Sequence, residues 1–356
     1  MFPADLNPDR LYLFVLGPGV GESIIVRIPP DSWLVVDSYR HNGRPAASYV
    51  LERYHATWSV LVLTHPHADH HAGMDQLLAS NPGGIVGCVH PRADDLSMEE
   101  LPLDPMRHLG QGALPVYDAI RQRWDRLPET RWETYRHEER GVGDAKLTAL
   151  HPVRPLIDSD WARNPNELSS AVLLHWKQLT LLLGADVVNR CWREIAHEFP
   201  GLHQHHGLKV PHHGSVGAIH ESYVKGDPAR CWVITPYRNS RLPRSQDGDG
   251  LDLMLRCVSE VQVTALPYRH DCENETPCVT TRESMLDKTR PRPMPEMVLP
   301  GGRHGTVATT ETRVDRHVVV EFDRQGLVKG LFHGPGSVRI VRTDGKTPPL
   351  TNGASH

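Results

Sequence analysis

Apolar residues arrive in short unbroken runs over the first part of the chain, not at helical spacing. Residues 11–16 (Leu-Tyr-Leu-Phe-Val-Leu) and 23–28 (Ser-Ile-Ile-Val-Arg-Ile) are dominated by aliphatic, aromatic and β-branched side chains. Runs this short, bounded by turn residues, read as strands. Gly17-Pro18-Gly19-Val20-Gly21 joins them as a turn. A dinucleotide-binding reading of those glycines fails because no helix follows. Residues 33–36 read as a third strand that closes on Asp37, 46–55 as a short helix, and 59–63 as a fourth strand.

The pattern then changes. Residues 91–145 are polar, rich in Asp, Glu, Arg and Pro, with Trp124 and Trp132 among them. They read as helices and loops, an insertion covering the candidate site. Strands resume at 147–150, 170–176 and 179–183, and again at 208–210, 231–235 and 261–266, with helices at 187–198 and 251–258. The stretch 271–305 reads as loop, and 317–322 with 327–332 as a hairpin around Arg324-Gln325-Gly326. Strands, then strand–helix alternation, then the same order again predict two sheets packed together with helices outside. The expected division is a hydrolase-sized domain over 1–270 and a β-rich extension of it over 271–356.

Composition narrows the class. The chain has 356 residues, 39% of them hydrophobic, and a formal net charge of −4. That balance exerts no bulk pull toward nucleic acid or membrane, though it permits a local basic groove. No run approaches the ~20 apolar residues of a membrane span, and the first residues lack the basic-then-apolar order of a secretory signal. The six cysteines, Cys88, Cys191, Cys231, Cys257, Cys272 and Cys278, are scattered and make no disulfide framework. The expectation is a cytoplasmic protein with no membrane association.

The candidate chemistry sits where the strand at 59–63 ends. Thr64-His65-Pro66-His67-Ala68-Asp69-His70 is a His-x-His-x-Asp-His pattern, followed by Gly73-Met74-Asp75-Gln76-Leu77-Leu78, which reads as helix. Imidazole and carboxylate together suit zinc or manganese. In a loop at a strand end, alternate side chains can turn onto one cation and the others onto a second. Two cations a few ångströms apart activate water and brace a leaving oxygen. With 23 His in the chain, pairs also occur by chance, as at His203, His205 and His206, which read as a solvated loop. A full four-residue pattern at the end of an apolar strand is more specific. Two later strand ends gain meaning beside it. Gly184-Ala185-Asp186 closes a leucine run on a lone acid, which elsewhere would read as a helix cap. Pro211-His212-His213-Gly214-Ser215 places two more imidazoles in a tight turn.

On these residues the chain resembles the metallo-β-lactamase fold family, and more narrowly the hydrolase (nuclease) domain of the ComEC/Rec2 DNA-uptake proteins. The resemblance runs from about residue 11 to 266. Its pieces are Gly17–Ile28, Val35-Val36-Asp37, the His-x-His-x-Asp-His motif, Leu150-His151-Pro152, Asn166-x-x-Ser169, Gly184-Ala185-Asp186 and Lys209-Val210-Pro211-His212-His213-Gly214-Ser215. It implies an αββα sandwich with its site at one edge between the sheets. It implies two divalent metal ions, Zn2+ or Mn2+, with His65 and His67 on one, Asp69 and His70 on the other and Asp186 between them. His212 is a further candidate ligand. Asn166 and Ser169 stand where much of the superfamily has a third His, and a weaker amide ligand favours manganese over zinc at that metal. The chain departs from the pattern at the stretched Gly-Ala-Asp and at Arg241-Leu242-Pro243, where a Gly-His-Pro is expected. His270 is one candidate to replace that imidazole.

The function this implies is phosphodiester hydrolysis of DNA or RNA. Asp69 would be ligand and orienter of the nucleophile, with His212 or His213 stabilising or protonating the leaving oxygen. Lys209 and Ser215 are candidate phosphate contacts, with Lys209 equally readable as a surface lysine at a strand edge. Asn166 and Ser169 are candidate substrate contacts, and Arg238, Arg241 and Arg244 a candidate basic cluster. Two other classes stay open. One is a small-molecule hydrolase of the same fold acting on cyclic nucleotides, lactones or thioesters. The other is a catalytically weak interaction module working with a partner protein. A ComEC-like hydrolase without a channel would also fit an effector in antiviral defence.

Overall fold

The structure is a computed structural model of the chain. It describes residues 2–88, 113–134, 137–152, 165–224, 230–237, 240–244, 249–265, 296–298, 316–335 and 337–341. Strands β1 (Leu11–Leu16), β2 (Ser23–Ile28) and β3 (Ser32–Val36) form an antiparallel meander. A small clip, β4 (Arg40–His41) with β5 (Arg44–Pro45), leads into helix α1 (Ala46–Arg53). The chain then turns to parallel pairing: β6 (Val60–Leu63) joins β3, and β7 (Ile85–Cys88) and β8 (Arg131–Glu133) follow. Helices α2 (Ala68–His71), α3 (Met74–Ser80) and α4 (Leu114–Arg126) lie on the crossovers.

The second sheet repeats this order. β9 (Glu139–Val142), β10 (Ala145–Ala149), β11 (Val172–Trp176) and β12 (Leu179–Leu183) are antiparallel neighbours. β13 (Gly207–Lys209), β14 (Cys231–Ile234) and β15 (Glu260–Val263) continue in parallel. Helices α5 (Asn189–Glu198), α6 (Glu221–Val224) and α7 (Gly250–Cys257) lie between them in sequence. Both sheets are therefore mixed. The last strands, β16 (Glu296–Val298), β17 (His317–Phe322), β18 (Val328–His333) and β19 (Val338–Val341), are shared between them. The sheet orders are β18-β17-β1-β2-β3-β6-β7-β8 and β16-β19-β15-β14-β13-β12-β11-β10-β9.

Packing explains the unbroken apolar runs. Successive side chains of a strand point to opposite faces. In β1, Leu11, Leu13 and Val15 face the second sheet, against residues such as Leu147, Leu174 and Leu181. Tyr12, Phe14 and Leu16 face the other way, into a layer with Val50 of α1, Leu77 of α3 and Ile120 and Trp124 of α4. Outside the second sheet, Trp192 and Ile195 of α5 and Leu251 and Met254 of α7 cover Leu208 and Trp232. Three apolar layers between four of secondary structure make an αββα sandwich.

Three segments take particular places in these layers. The described residues of 91–145 are built into the sandwich. α4 packs on the outer face of the first sheet, Trp132 of β8 lies between the sheets, and β9 is the far strand of the second. The described strands near the chain's end join both sheets: β17 pairs β1 in the first, and β19 pairs β15 in the second. The His203–His206 stretch is not simply solvated, because His205 is buried with its Nδ1 2.8 Å from the Leu202 carbonyl oxygen. Burial pushes His205 down to about 3. His270, Cys272, Cys278 and Arg238 lie outside the described residues.

Candidate metal centre

The carboxyl ends of β3, β6, β12, β13 and β14 meet at one edge of the sandwich, because β6 runs parallel to β3, and β13 and β14 parallel to β12. Such strand ends are where α/β sheets place ligand-binding loops. β2 runs the opposite way to β3, so its first residues and the preceding Glu22 reach the same edge.

β3 delivers Asp37, whose backbone is left-handed at φ 59°. The Asp37 carboxylate accepts from Thr64 N at 2.8 Å and from Thr64 Oγ1 at 2.7 Å. It lies 2.7 Å from His70 Nδ1. A carboxylate only accepts, so the His70 proton is on Nδ1 and the Nε2 lone pair is turned to the site. There Nε2 stands 3.5 Å from both Asp69 Oδ2 and Asp186 Oδ2. His65 Nε2 lies 3.8 Å from Asp186 Oδ2 and 2.9 Å from His67 Nδ1. His65 Nδ1 is 3.0 Å from Thr64 Oγ1 and 3.3 Å from Ser169 Oγ, and that hydroxyl also accepts from Asp186 N at 3.1 Å. Ser169 is thus buried as a brace between two candidate ligands.

The turn after β13 separates its two imidazoles. His212, His213 and Gly214 are successively left-handed, at φ 44°, 52° and 76°. His213 goes inward. Its Nδ1 is 2.9 Å from the Thr235 carbonyl oxygen, which fixes the proton there and leaves Nε2 facing Asp69 Oδ2 at 3.2 Å and Asp186 Oδ2 at 3.7 Å. Tyr237 stacks on the ring at 4.9 Å. His212 stays at the rim, half-buried, its Nε2 3.2 Å from Asn166 Nδ2. With Leu242 where a His was expected, His213 provides the Asp69–His70 pair with its second imidazole.

Glu22, Asp37, Asp69 and Asp186 are all buried. Lys209 is fully buried as well, its Nζ 2.7 Å from Glu22 Oε2. That corrects the expectation of a surface lysine at a strand edge: β13 is interior to its sheet, and the ammonium is committed to Glu22. Ser215 is half-buried beside the turn, and Arg241 and Arg244 are exposed.

The electrostatics follow from crowding. Burial lowers the His65 pKa, and the neighbouring His70 lowers it further, to well below the ordinary imidazole value. Burial acts the same way on His70 and His213, but Asp186 and Asp69 outweigh it and raise both. Asp186 and Asp69 are held down against burial by those same imidazoles. A divalent cation binding here therefore competes with protons.

The residues fit such a cation. Ligand atoms of His65, His70 and Asp186 lie within 4.8 Å of one another, and so do those of Asp69, His70 and His213. His70 Nε2 and Asp186 Oδ1 are buried without a hydrogen-bond partner among the described residues. Unpaired polar atoms of this kind are rare in folded proteins unless an ion or water satisfies them. His67 adjoins the first group through His65. His212 belongs to neither group and faces Asn166 instead.

Sequence reasoning did not assign Glu22, and took Asp37 only as part of a motif. The available signal was an acid at each end of an apolar strand pair, at Gly21-Glu22 and Val36-Asp37.

Two expectations concern the loops that carry the ligands. The extra residue in Gly184-Ala185-Asp186 is accommodated by a left-handed Ala185, φ 45°, whose carbonyl accepts from His212 N at 2.8 Å. Ala185→Gly should raise stability by about 1 kcal/mol, a small rise in melting temperature, because that region penalises a Cβ. Gly250 lies against the His212–His213 turn, and a Cβ there would fall 1.8 Å from Gly214 O. Gly250→Ala should cost at least ~2 kcal/mol and displace the turn, read by urea denaturation together with zinc content.

No protein family and no curated protein matches the sequence. Among solved structures, the chain is similar to CmlA, a diiron β-hydroxylase from Streptomyces venezuelae, at 16% identity and a TM-score of 0.35. That match covers 58% of this chain and 35% of the other, so the chain spans about a third of the hydroxylase. It is similar to a diphosphatase of the PhnP family at 13% identity and TM-score 0.32, over 56% of this chain and 73% of the other. It is also similar to YhfI of Bacillus subtilis, a metallo-β-lactamase fold protein, at 15% identity and TM-score 0.31, over 56% and 70%. Among the described residues, no helix is long and apolar enough to cross a membrane.

Proposed function

We propose that this protein is a metallo-β-lactamase-fold hydrolase that cleaves phosphodiester bonds in DNA or RNA. The observation that carries the reading is a buried ring of imidazoles and carboxylates with a half-buried imidazole, His212, at its rim. Two divalent cations, zinc or manganese, would supply Lewis acidity and an activated water. His65, His67 and Asp186 would hold one, and Asp69, His70, His213 and Asp186 the other.

The chain's own residues divide the remaining work. Asp69 orients the attacking water. His213 is committed to the ring by Thr235, so stabilising the leaving oxygen falls to His212. Asn166 Nδ2 lies 3.2 Å from His212 Nε2 and holds that ring at the rim. Ser215 follows the rim turn, and Arg241 and Arg244 flank Leu242, whose backbone pairs with the Tyr237 that stacks on His213, so these three would hold phosphate without reading bases. A second reading, hydrolysis of a small phosphodiester, lactone or thioester, is favoured by the depth of the ring.

The test is cleavage of plasmid, linear duplex and single-stranded RNA beside bis(p-nitrophenyl) phosphate, with added manganese or zinc. The expected result is polymer cleavage that falls steeply between about 50 and 200 mM salt, as phosphate contacts require. Cleavage of the small diester alone, insensitive to salt, would move the substrate to the second reading. A metal-loaded protein inert toward every one of these phosphodiesters would overturn the phosphodiesterase reading.

A further inference from the structure

Beneath the candidate ligands lies an ion pair that the reaction does not use. Glu22 and Lys209 are both wholly buried. Two buried charges are costly to desolvate, and a pair of apolar residues in the same place commonly gives an equal or more stable fold. Their contacts all lead to the centre. Glu22 N donates to the Asp69 carbonyl at 3.0 Å. Glu22 Oε2 accepts from Lys209 Nζ and from Thr235 Oγ1, and Thr235 is the residue whose carbonyl holds His213 Nδ1. The same Oε2 lies 3.6 Å from His213 Nδ1, and Oε1 lies 3.9 Å from His70 Nδ1. Lys209 Nζ also donates to the Val210 carbonyl at 3.0 Å, at the entry to the Pro211–Gly214 turn.

We propose that Glu22 and Lys209 are positioning residues for the metal centre: Glu22, through Thr235, fixes the Nδ1 side of His213 and so the aim of its Nε2, while Lys209 supplies the charge that holds Glu22 in place. The arrangement parallels Asp37 under His70, so each imidazole of the Asp69 group has its own carboxylate floor. Carboxylates behind a ligating imidazole set its tautomer and orientation. Here the carboxylate needs an internal counterion, because Asp37, Asp69 and Asp186 already crowd the same buried volume.

The inference rests on the metal reading above, and the experiment separates the two. Zinc stoichiometry and affinity are measured by competition with a chromophoric chelator on the full chain. Variants are Glu22→Gln, Lys209→Met and the neutral double variant, with thermal stability recorded alongside. Each single variant should lose stability, Lys209→Met the more, since it strands a buried carboxylate. The double variant should recover most of that stability yet bind its weaker zinc at least about tenfold less tightly, within the range that lost partners of ligating residues cost. Recovery of stability and of zinc affinity together would make the pair merely structural and overturn the proposal. Thr235→Val provides an independent arm that keeps the ion pair. Weakened zinc binding and altered His213 imidazole 15N shifts support the proposal, and unchanged values overturn it. A wild-type protein that binds neither zinc nor manganese would overturn the centre and this inference with it.

Discussion

Asp69→Ala is expected to remove metal-dependent hydrolysis while leaving the chain folded. The Asp69 carboxylate is aimed at the cluster: Oδ2 lies 3.2 Å from His213 Nε2 and 3.5 Å from His70 Nε2. The backbone contact that holds the segment, Glu22 N to Asp69 O at 3.0 Å, survives truncation to alanine. Asp69 also sits in the first turn of α2, where loss of a negative charge costs only about 0.5 kcal/mol. The fold should therefore persist, with circular dichroism and melting close to wild type. Turnover should fall on the order of 10^3-fold, the scale of losing a group that acts on charge developing in the transition state. The check is kcat/KM on the cleaved substrate, together with metal content by mass spectrometry. Full activity in a folded Asp69→Ala protein would place the chemistry elsewhere.

Asp37→Asn should leave hydrolytic groups untouched yet weaken metal binding by about 10- to 100-fold. Asp37 lies behind His70, on the Nδ1 side of its ring. It is fully buried and accepts from Thr64 N, Thr64 Oγ1 and His70 Nδ1. An amide of the same shape can keep the Thr64 N bond through its oxygen, but its nitrogen then confronts His70 Nδ1–H, donor against donor. His70 escapes by moving its proton to Nε2, the atom that must carry a lone pair toward Asp69 and Asp186. The expected result is a folded protein with a higher zinc dissociation constant and activity restored by excess zinc. Activity that excess zinc does not restore, at unchanged affinity, would contradict this role. Thr64→Val loses one hydrogen bond to Asp37 while leaving the backbone N–H contact, and should produce a smaller change in the same direction.

Part of this centre was legible without coordinates because it is local. His65, His67, Asp69 and His70 fall within one strand end and one short helix, so spacing alone brings them together. The strands at 11–16, 23–28 and 179–183 were equally plain, since a strand buried on both faces must be apolar at every position. Asp186 and the His212–His213 turn were recognisable as strand ends, but their spacing does not say which imidazole turns inward. Backbone conformation decides that: successive left-handed residues at 212–214 send His213 to the carboxylates and leave His212 on Asn166.

The remaining features depend on pairing across long stretches of chain. Lys209 looked like a phosphate contact or a surface lysine because nothing near it in sequence shows that β13 lies inside a sheet. Its partner, Glu22, stands before β2, 187 positions earlier in the chain. The described residues of 91–145 looked like a cover because they are polar, yet one buried tryptophan, Trp132, is enough to tie their strand between the sheets. β17 could be read as a strand, but not as the neighbour of β1, a pairing of Leu11 with Phe322.

By itself, then, the sequence determined the two-sheet sandwich and the local set His65, His67, Asp69 and His70, because unbroken apolar runs and short-range ligand spacing are local properties. Only the tertiary structure decided which imidazole closes the second group, which acids lie behind the ligands and which lysine balances them. Those depend on antiparallel β2 and parallel β3, β6, β12, β13 and β14 ending at a common edge, where burial forces every charge to find a partner.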